Sequence, residues 1–230
     1  MNESNCPMPR DYVQRVQARY QQHASAANAA AMQRYMKDQF LFFGIKKPER
    51  VTLSEQLIRE LGVPASTQAL SAVCRQCFQA EPREMQYFAA DLLRPRIKKY
   101  EVELLPLLEE LMLEKSWWDT IDFLAPKLAG NILLRFPGAI ADYPARWIDS
   151  DNFWLQRAAI LFQLDYKNRT NSALLFSFIH RQADSREFFV QKAAGWALRN
   201  YSKVNPDEVR HFIMHTKLSK LTIREGSKYL

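Results

Sequence analysis

The strongest constraint on the fold of this chain is a segment that recurs at a fixed interval. Residues 151–160 read DNFWLQRAAI and residues 186–195 read REFFVQKAAG, so a glutamine, a basic residue and two alanines coincide. The offset is 35 residues, because 192 − 157 = 35. A repeat of this length with two helices per unit is typical of helical solenoids, in which each unit stacks on its neighbours.

The same interval reaches two earlier segments. One step back from Arg157 gives Asp122, in the segment SWWDTIDFLA, and a further step gives Tyr87. The first fifty residues fit the interval poorly. We therefore predict one domain over residues 1–230, with an N-terminal helical cap over 1–50 and repeats over 51–230. A bulky aromatic residue precedes the aligned position in each of the last three copies: Trp118, Phe153 and Phe188.

The hydrophobic pattern between these segments is helical. Apolar residues recur every three or four positions, as at Leu53, Leu57 and Leu61, and short proline-containing segments separate the periodic stretches. No alternating strand pattern stands out, and six glycines in 230 residues are few for a protein with many tight turns. We predict an all-α fold of short antiparallel helices, which the 35-residue interval arranges as an α-solenoid.

Charge and composition restrict the partners. The formal net charge is +7 and the sequence pI is about 9.3, which favours a polyanion and leaves an acidic protein as an alternative. The beginning, MNESNCPMPRDY, lacks the apolar stretch of a signal peptide, and there is no apolar run of about 18 residues that would span a membrane. These features predict a cytoplasmic protein without membrane contact.

Two residue pairs have spacings that metal sites use. Cys74 and Cys77 form a C-x-x-C, and His211 and His215 lie four residues apart. Neither pair has the further ligands that a zinc site needs. We interpret the cysteines as part of a buried helix face and the histidines as part of a solvated one. With three cysteines in total, no disulfide framework is expected, and we predict no metal and no cofactor.

Equivalent positions in a solenoid point the same way, so the aligned residues and their neighbours four positions along a helix share one face. Cations on such a face contact phosphates, and indole rings stack on bases or sugars. A carboxylate there has two interpretations: a structural ion pair or helix cap, or a catalytic acid. The tryptophans are likewise either core residues or a ligand platform. The predicted strip consists of Trp118, Asp122, Arg157, Lys192 and Trp196.

Four segments in order resemble a known family. They are RYMKDQFLFFGIKKPER at 34–50, SWWDTID at 116–122, WLQRAAI at 154–160 and EFFVQKAAGWALRNYSK at 187–203. These segments are similar to those of the AlkD-like DNA alkylation repair glycosylases, which are built from HEAT-like repeats. The resemblance implies a right-handed type of α-solenoid of HEAT-like antiparallel helix pairs with an N-terminal helical cap. The resemblance extends from about Tyr35 to about Arg224.

The resemblance implies a role for five residues and an activity. It implies that Asp122 is the catalytic aspartate, that Trp118 and Trp196 are cleft tryptophans, and that Arg157 and Tyr35 also line the cleft. It further implies a monomeric, nucleoid-associated base excision repair enzyme. This enzyme would hydrolyse the N-glycosidic bond of positively charged N3- or N7-alkylated purines in double-stranded DNA, without flipping the base fully into a pocket.

The residues leave other functions open. Helical repeats also serve as non-catalytic DNA-binding modules or as protein scaffolds, for which the basic charge would match an acidic partner. An RNA-binding repeat would need base-reading side chains at one position per repeat, and so short an array would read few bases. Release of a base from alkylated DNA separates the enzyme from these alternatives.

Overall fold

The computed structural model describes residues 6–230. In this part of the chain the regular secondary structure is helical, and Leu41 and Pro82 form an isolated β-bridge. The prediction of an all-α fold is confirmed. No helix between residues 6 and 230 has the length and apolar character needed to cross a membrane. The chain forms two compact units, the first running to Arg96 and the second over Ile97–Leu230, while the single domain and its cap boundary at residue 50 stay predictions.

The first unit contains five α-helices. Serine side chains cap two of them, because Ser25 and Ser66 each accept a hydrogen bond from a backbone N–H of the first turn. Helix α4 packs against α1 and α5, and α3 also packs against α5. The helices are α1 (Pro9–Gln22), α2 (Ala26–Tyr35), α3 (Lys47–Leu61), α4 (Thr67–Gln79) and α5 (Arg83–Leu93).

A buried carboxylate fixes the segment that follows α2. Glu84 accepts hydrogen bonds from the backbone N–H groups of Phe43 (3.0 Å), Gly44 (2.8 Å) and Ile45 (3.1 Å). Gly44 has φ +90, and a Cβ there would lie 2.1 Å from the carbonyl oxygen of Ser25. The FFGI part of the N-terminal motif is therefore a structural element, in which a glycine is required by both backbone angle and space.

The second unit contains nine α-helices within the described residues. Four of them stack in one layer, with α10 between α7 and α12, and α12 between α10 and α14. The helices are α6 (Leu105–Leu113), α7 (Trp118–Phe123), α8 (Gly130–Arg135), α9 (Pro144–Trp147), α10 (Phe153–Leu161), α11 (Ser172–Arg181), α12 (Phe188–Tyr201), α13 (Pro206–His215) and α14 (Lys220–Gly226). A π-helical segment, Leu124–Ala129, joins α7 to α8.

The structure of this layer follows the sequence interval. Helices α7, α10 and α12 begin at Trp118, Phe153 and Phe188, the aromatic residues of the three copies. A side-chain contact also repeats, because the amide of Gln156 donates to the Ser150 carbonyl (2.7 Å) and the amide of Gln191 donates to the Ser185 carbonyl (2.9 Å). The recurring glutamine thus ties each helix to the loop before it, and the helical-repeat fold is confirmed.

Candidate functional site

Asp122 and Arg157 form a two-pronged ion pair between α7 and α10. The Arg157 Nε donates to Asp122 Oδ1 at 2.9 Å, and its Nη2 donates to Oδ2 at 2.9 Å. Such paired hydrogen bonds fix both the distance and the plane of the carboxylate. The guanidinium side chain is 5% exposed and the carboxylate side chain 19%, so the acid is the member of the pair that a ligand can reach.

The Arg157 guanidinium also binds a third helix, α12. The Nη1 group of Arg157 donates to the backbone carbonyl of Phe189 at 2.7 Å. Arg157 therefore joins three stacked helices and faces protein acceptors. The phosphate contact expected for this residue stays a prediction, whereas its contact with Asp122 is a feature of the structure. The sequence left open whether Asp122 pairs with Arg157. In the structure the two residues form an ion pair.

The backbone around Asp122 is shaped by a proline. Residue 126 is a proline within the π-helical segment that follows α7. Proline lacks the N–H group that would donate to the carbonyl four residues earlier, which belongs to Asp122, and its ring clashes there. The switch from α- to π-helix directly after α7 is the expected response. The carboxylate is thus presented from the last turn of a short helix.

Burial changes the acidity of this carboxyl group. Removal from water raises the pKa of Asp122 to about 6, while the charge and hydrogen bonds of Arg157 act in the opposite direction and the nearby Asp119 adds a smaller increase. At neutral pH the group is still ionised. Arg157 occupies two of the roughly four acceptor positions of a carboxylate, which leaves others for a ligand.

The remaining strip residues lie on α7 and α12. Trp118 begins α7, one turn before Asp122, and Trp196 lies one turn after Lys192 on α12. Trp118, Lys192 and Trp196 are all half-buried. Lys192 pairs with Glu225 at 3.2 Å. The structure therefore brings Asp122 into contact with Arg157 and places Lys192 in a separate ion pair on the same helical layer.

Glu225 is a residue that the sequence analysis did not identify. Its buried carboxylate on α14 lies at the centre of four cations: Lys192, Arg199, Arg224 and Lys228. The hydrogen bond from Lys228 is the largest influence, and together with Lys192 it lowers the pKa of Glu225 to about 2. Glu225 does not follow the 35-residue interval from Lys192, so the repeat gave no signal for it.

An aromatic cluster adjoins the ion pair and was also missed. The ring of Trp154 lies 5.6 Å from that of Trp117 and 4.8 Å from that of Phe189, the residue whose carbonyl binds Arg157. Trp117 also contacts Phe189, at 5.3 Å. The sequence interval could have predicted this cluster. Trp154 and Phe189 are 35 residues apart, and each directly follows the aromatic residue that begins its copy. The cluster packs the beginnings of three stacked helices together.

Tyr35, the other cleft residue that the resemblance implies, belongs to the first unit. It is the last residue of α2 and is 71% exposed. Two residues with positive φ follow, Lys37 (φ 57) and Asp38 (φ 56), so the chain turns sharply after Tyr35. Its role in binding stays a prediction.

The two pairs with metal-like spacing occupy different environments. Cys74 and Cys77 are fully buried in α4, and burial raises the pKa of Cys74 to about 12. The exposed rings of His211 and His215 stack at 4.1 Å. Within residues 6–230, no group of three or more histidine, cysteine or acidic side chains is placed to bind a metal ion.

Fold and site together define a class: a helical-repeat protein whose candidate site contains one ionised carboxylate that an arginine fixes, with Trp118 one turn earlier on the same helix. Residues 16–230 match the family described as DNA alkylation repair enzyme. The chain belongs to this family, and the resemblance found in the sequence is confirmed.

Comparison with solved structures gives a consistent result. One similar structure is described as a predicted DNA alkylation repair enzyme from Enterococcus faecalis. It is 37% identical, covers 90% of this chain and 96% of its own, and has a TM-score of 0.84. Comparison with curated proteins gives no match.

Proposed function

We propose that this member of the family is a DNA glycosylase. It would hydrolyse the N-glycosidic bond of positively charged N3- or N7-alkylated purines in double-stranded DNA, without flipping the base fully. The observation that carries the proposal is the Asp122 carboxylate, which is ionised at neutral pH, partly exposed, and fixed by two hydrogen bonds from Arg157.

The substrate class follows from the chemistry that one carboxylate can support. When the bond between C1′ and the purine nitrogen breaks, its electron pair neutralises the cationic base, which leaves without needing a proton. Positive charge develops on the deoxyribose, and a nearby carboxylate stabilises it. A neutral purine would require a general acid. Selectivity for cationic bases would therefore arise from the leaving group.

The hydrolytic water completes the reaction at C1′. A carboxylate with free acceptor positions can orient this water and accept its proton as the C1′–O bond forms. Arg157 would act as a positioning residue, because it directs the carboxylate plane while it is itself turned away from solvent. Preorganised charge of this kind needs no rearrangement when the transition state forms.

The neighbouring residues would bind the substrate. Trp118 lies on the same helical face as Asp122, where an indole ring attracts a cationic base or the developing charge on the sugar. Trp196 would provide a second ring. Lys192 and the other cations around Glu225 would contact phosphates, and the chain's charge of +7 favours a polyanionic partner. Tyr35 is proposed as a further DNA contact.

The experiment is incubation of methylated duplex DNA with the protein, followed by chromatography of the released bases. We expect 7-methylguanine and 3-methyladenine from the wild type and little release by Asp122→Asn. Asp119→Asn is the matched control, since it makes the same chemical change one turn away on α7 and should retain release.

Salt-dependent DNA binding without release of any base by the wild type would contradict the proposal, and would indicate a non-catalytic DNA-binding module. Equal release by Asp122→Asn and the wild type would assign the Asp122–Arg157 pair to the structure alone.

A further inference from the structure

Two of the four histidines of this chain lie side by side on α13, a helix that supplies no residue to the proposed glycosylase site. His211 and His215 are four residues apart, so they share one helical face. Both residues are exposed, and their rings stack with centroids 4.1 Å apart and an angle of 28° between the ring planes. We call these two residues the α13 histidine pair.

A hydrogen bond fixes which nitrogen of His215 carries a proton. Its Nδ1 lies 2.8 Å from the backbone carbonyl oxygen of His211, and a carbonyl oxygen only accepts, so the Nδ1–H group is the donor. In the neutral ring the lone pair is therefore on Nε2. Histidines that bind metal ions usually donate their other ring N–H in this way, because the hydrogen bond fixes the tautomer and makes the ligand nitrogen more basic.

The separation of the two rings suits a single bridging metal ion. A small divalent metal ion lies about 2.0–2.1 Å from an imidazole nitrogen, so it joins two nitrogens that are at most about 4 Å apart. The distance between the ring centroids, 4.1 Å, is close to this limit. Exposed side chains rotate within nanoseconds, so a small rotation of the rings brings both nitrogens to one ion while the helix keeps its place.

The charges of α13 favour a cation at its last turn. The helix contains two acidic residues, Asp207 and Glu208, and one arginine, Arg210, which forms an ion pair with Asp207 at 2.5 Å. Acidic groups are therefore in slight excess. His215 is the last residue of α13, where the helix dipole presents its negative end. A positive ion bound by the pair is stabilised by this end of the helix.

We propose that the α13 histidine pair binds a divalent copper ion. Two imidazole nitrogens, with water in the remaining positions, fit the tetragonal geometry that Cu(II) prefers. A closed zinc site takes four protein ligands, and within the described residues no third histidine, cysteine or acidic side chain joins the pair. Affinity for nitrogen ligands reaches its maximum at copper in the first-row series, so nickel and zinc should bind more weakly.

Copper binding should stabilise the folded protein. One ion would join two successive turns at the end of α13, and a ligand that binds the folded state in preference to the unfolded state raises stability by mass action. This property is independent of the proposed glycosylase function, because it needs no DNA and no residue of the Asp122 site.

Titration of the full chain with copper(II) chloride, in the presence of glycine as a competing chelator, tests the proposal. We expect one copper ion per chain, with an electron paramagnetic resonance spectrum that shows two nitrogen ligands from the protein. His211→Gln and His215→Gln each keep a single imidazole and should bind copper roughly 10²-fold more weakly, since two linked ligands bind far more tightly than one. Copper should raise the Tm of the wild type and leave the Tm of both variants unchanged.

Two further variants serve as controls. His180→Gln removes an exposed histidine from α11, and Cys6→Ser removes a half-exposed thiol, which is another group that binds copper. Both should bind copper like the wild type, and melts without copper check that every variant is folded. Wild-type affinity in the folded His211→Gln and His215→Gln variants would overturn the proposal, as would loss of copper binding in Cys6→Ser or a wild-type spectrum with a single protein nitrogen.

Discussion

Replacement of Arg157 by methionine tests what the ion pair contributes to protein stability and how it controls the pKa of Asp122. Methionine approximates the stem of arginine but has no donors, so Asp122 loses two hydrogen bonds and the Phe189 carbonyl loses one. The carboxylate stays in a largely buried position without its counterion. Since Arg157 lowers the pKa of Asp122, its removal should raise that pKa beyond about 6.

The size of the effect follows from the burial of the pair. Removing one partner of a fully buried ion pair costs about 3–5 kcal/mol. The Asp122 side chain is 19% exposed, so water offsets part of this loss. We therefore expect a destabilisation of roughly 2–3 kcal/mol at neutral pH, which for a chain of this size lowers Tm by about 4–12 °C.

The loss of stability in Arg157→Met should increase as pH rises. A carboxyl group whose folded-state pKa is raised favours the fold when protonated, and that contribution is lost as pH rises through the folded pKa. The Tm difference between wild type and Arg157→Met should accordingly be largest above pH 7 and narrow below pH 6. The acid limb of base release, expected near pH 6 for the wild type, should move to higher pH in the variant.

Thermal melts and single-turnover base release, both measured from pH 5 to 9, check these expectations. Arg186→Met is the control, because it makes the same change at an exposed position just before α12. Arg157→Met would contradict both expectations if it melts like this control and if the acid limb of its base release coincides with that of the wild type.

Three further predictions concern packing and charge in each unit. Gly195→Ala places a Cβ 2.5 Å from the Cβ of Glu225, so it should lower the free energy of unfolding in urea by about 1–3 kcal/mol. Gly138→Ala is the control, because a Cβ there has no atom within 4 Å and should leave the stability unchanged. Because the pKa of Glu225 is lowered in the folded protein, its carboxylate contributes stability above pH 4.5, and this contribution is lost as pH falls towards 2. The Tm difference between the wild type and Glu225→Gln should therefore shrink across that pH range. A constant difference would refute the ion pairs of Glu225 as the cause. Cys74 and Cys77 should resist iodoacetamide until the protein unfolds, and rapid modification of the native protein would contradict their burial and raised pKa.

The sequence interval predicted the layer of α7, α10 and α12 in the second unit. Three helices begin at the aromatic residues of the copies, and the aligned positions 122 and 157 meet as an ion pair. This succeeds because a stacked repeat converts sequence spacing directly into spatial neighbours. The face shared by Lys192 and Trp196 follows from helical periodicity alone.

The direction in which Arg157 points could not be predicted in the same way. Its third hydrogen bond is to a backbone carbonyl, that of Phe189, and a carbonyl has no signature in the sequence. The partner of Lys192 was missed because α14 departs from the interval. Glu225 reaches Lys192 through the close approach that Gly195 permits, which depends on three-dimensional packing.

The proposed glycosylase function requires that the Asp122 carboxylate stabilises charge that develops on a DNA sugar. The direct test is the single-turnover release of 7-methylguanine from a duplex with one such base, by the wild type and by Asp122→Asn, at saturating protein and pH 7.5. Loss of one preorganised charged group predicts a rate about 10²–10³ lower for the variant, at similar DNA affinity. Equal rates for the two proteins would contradict the claim.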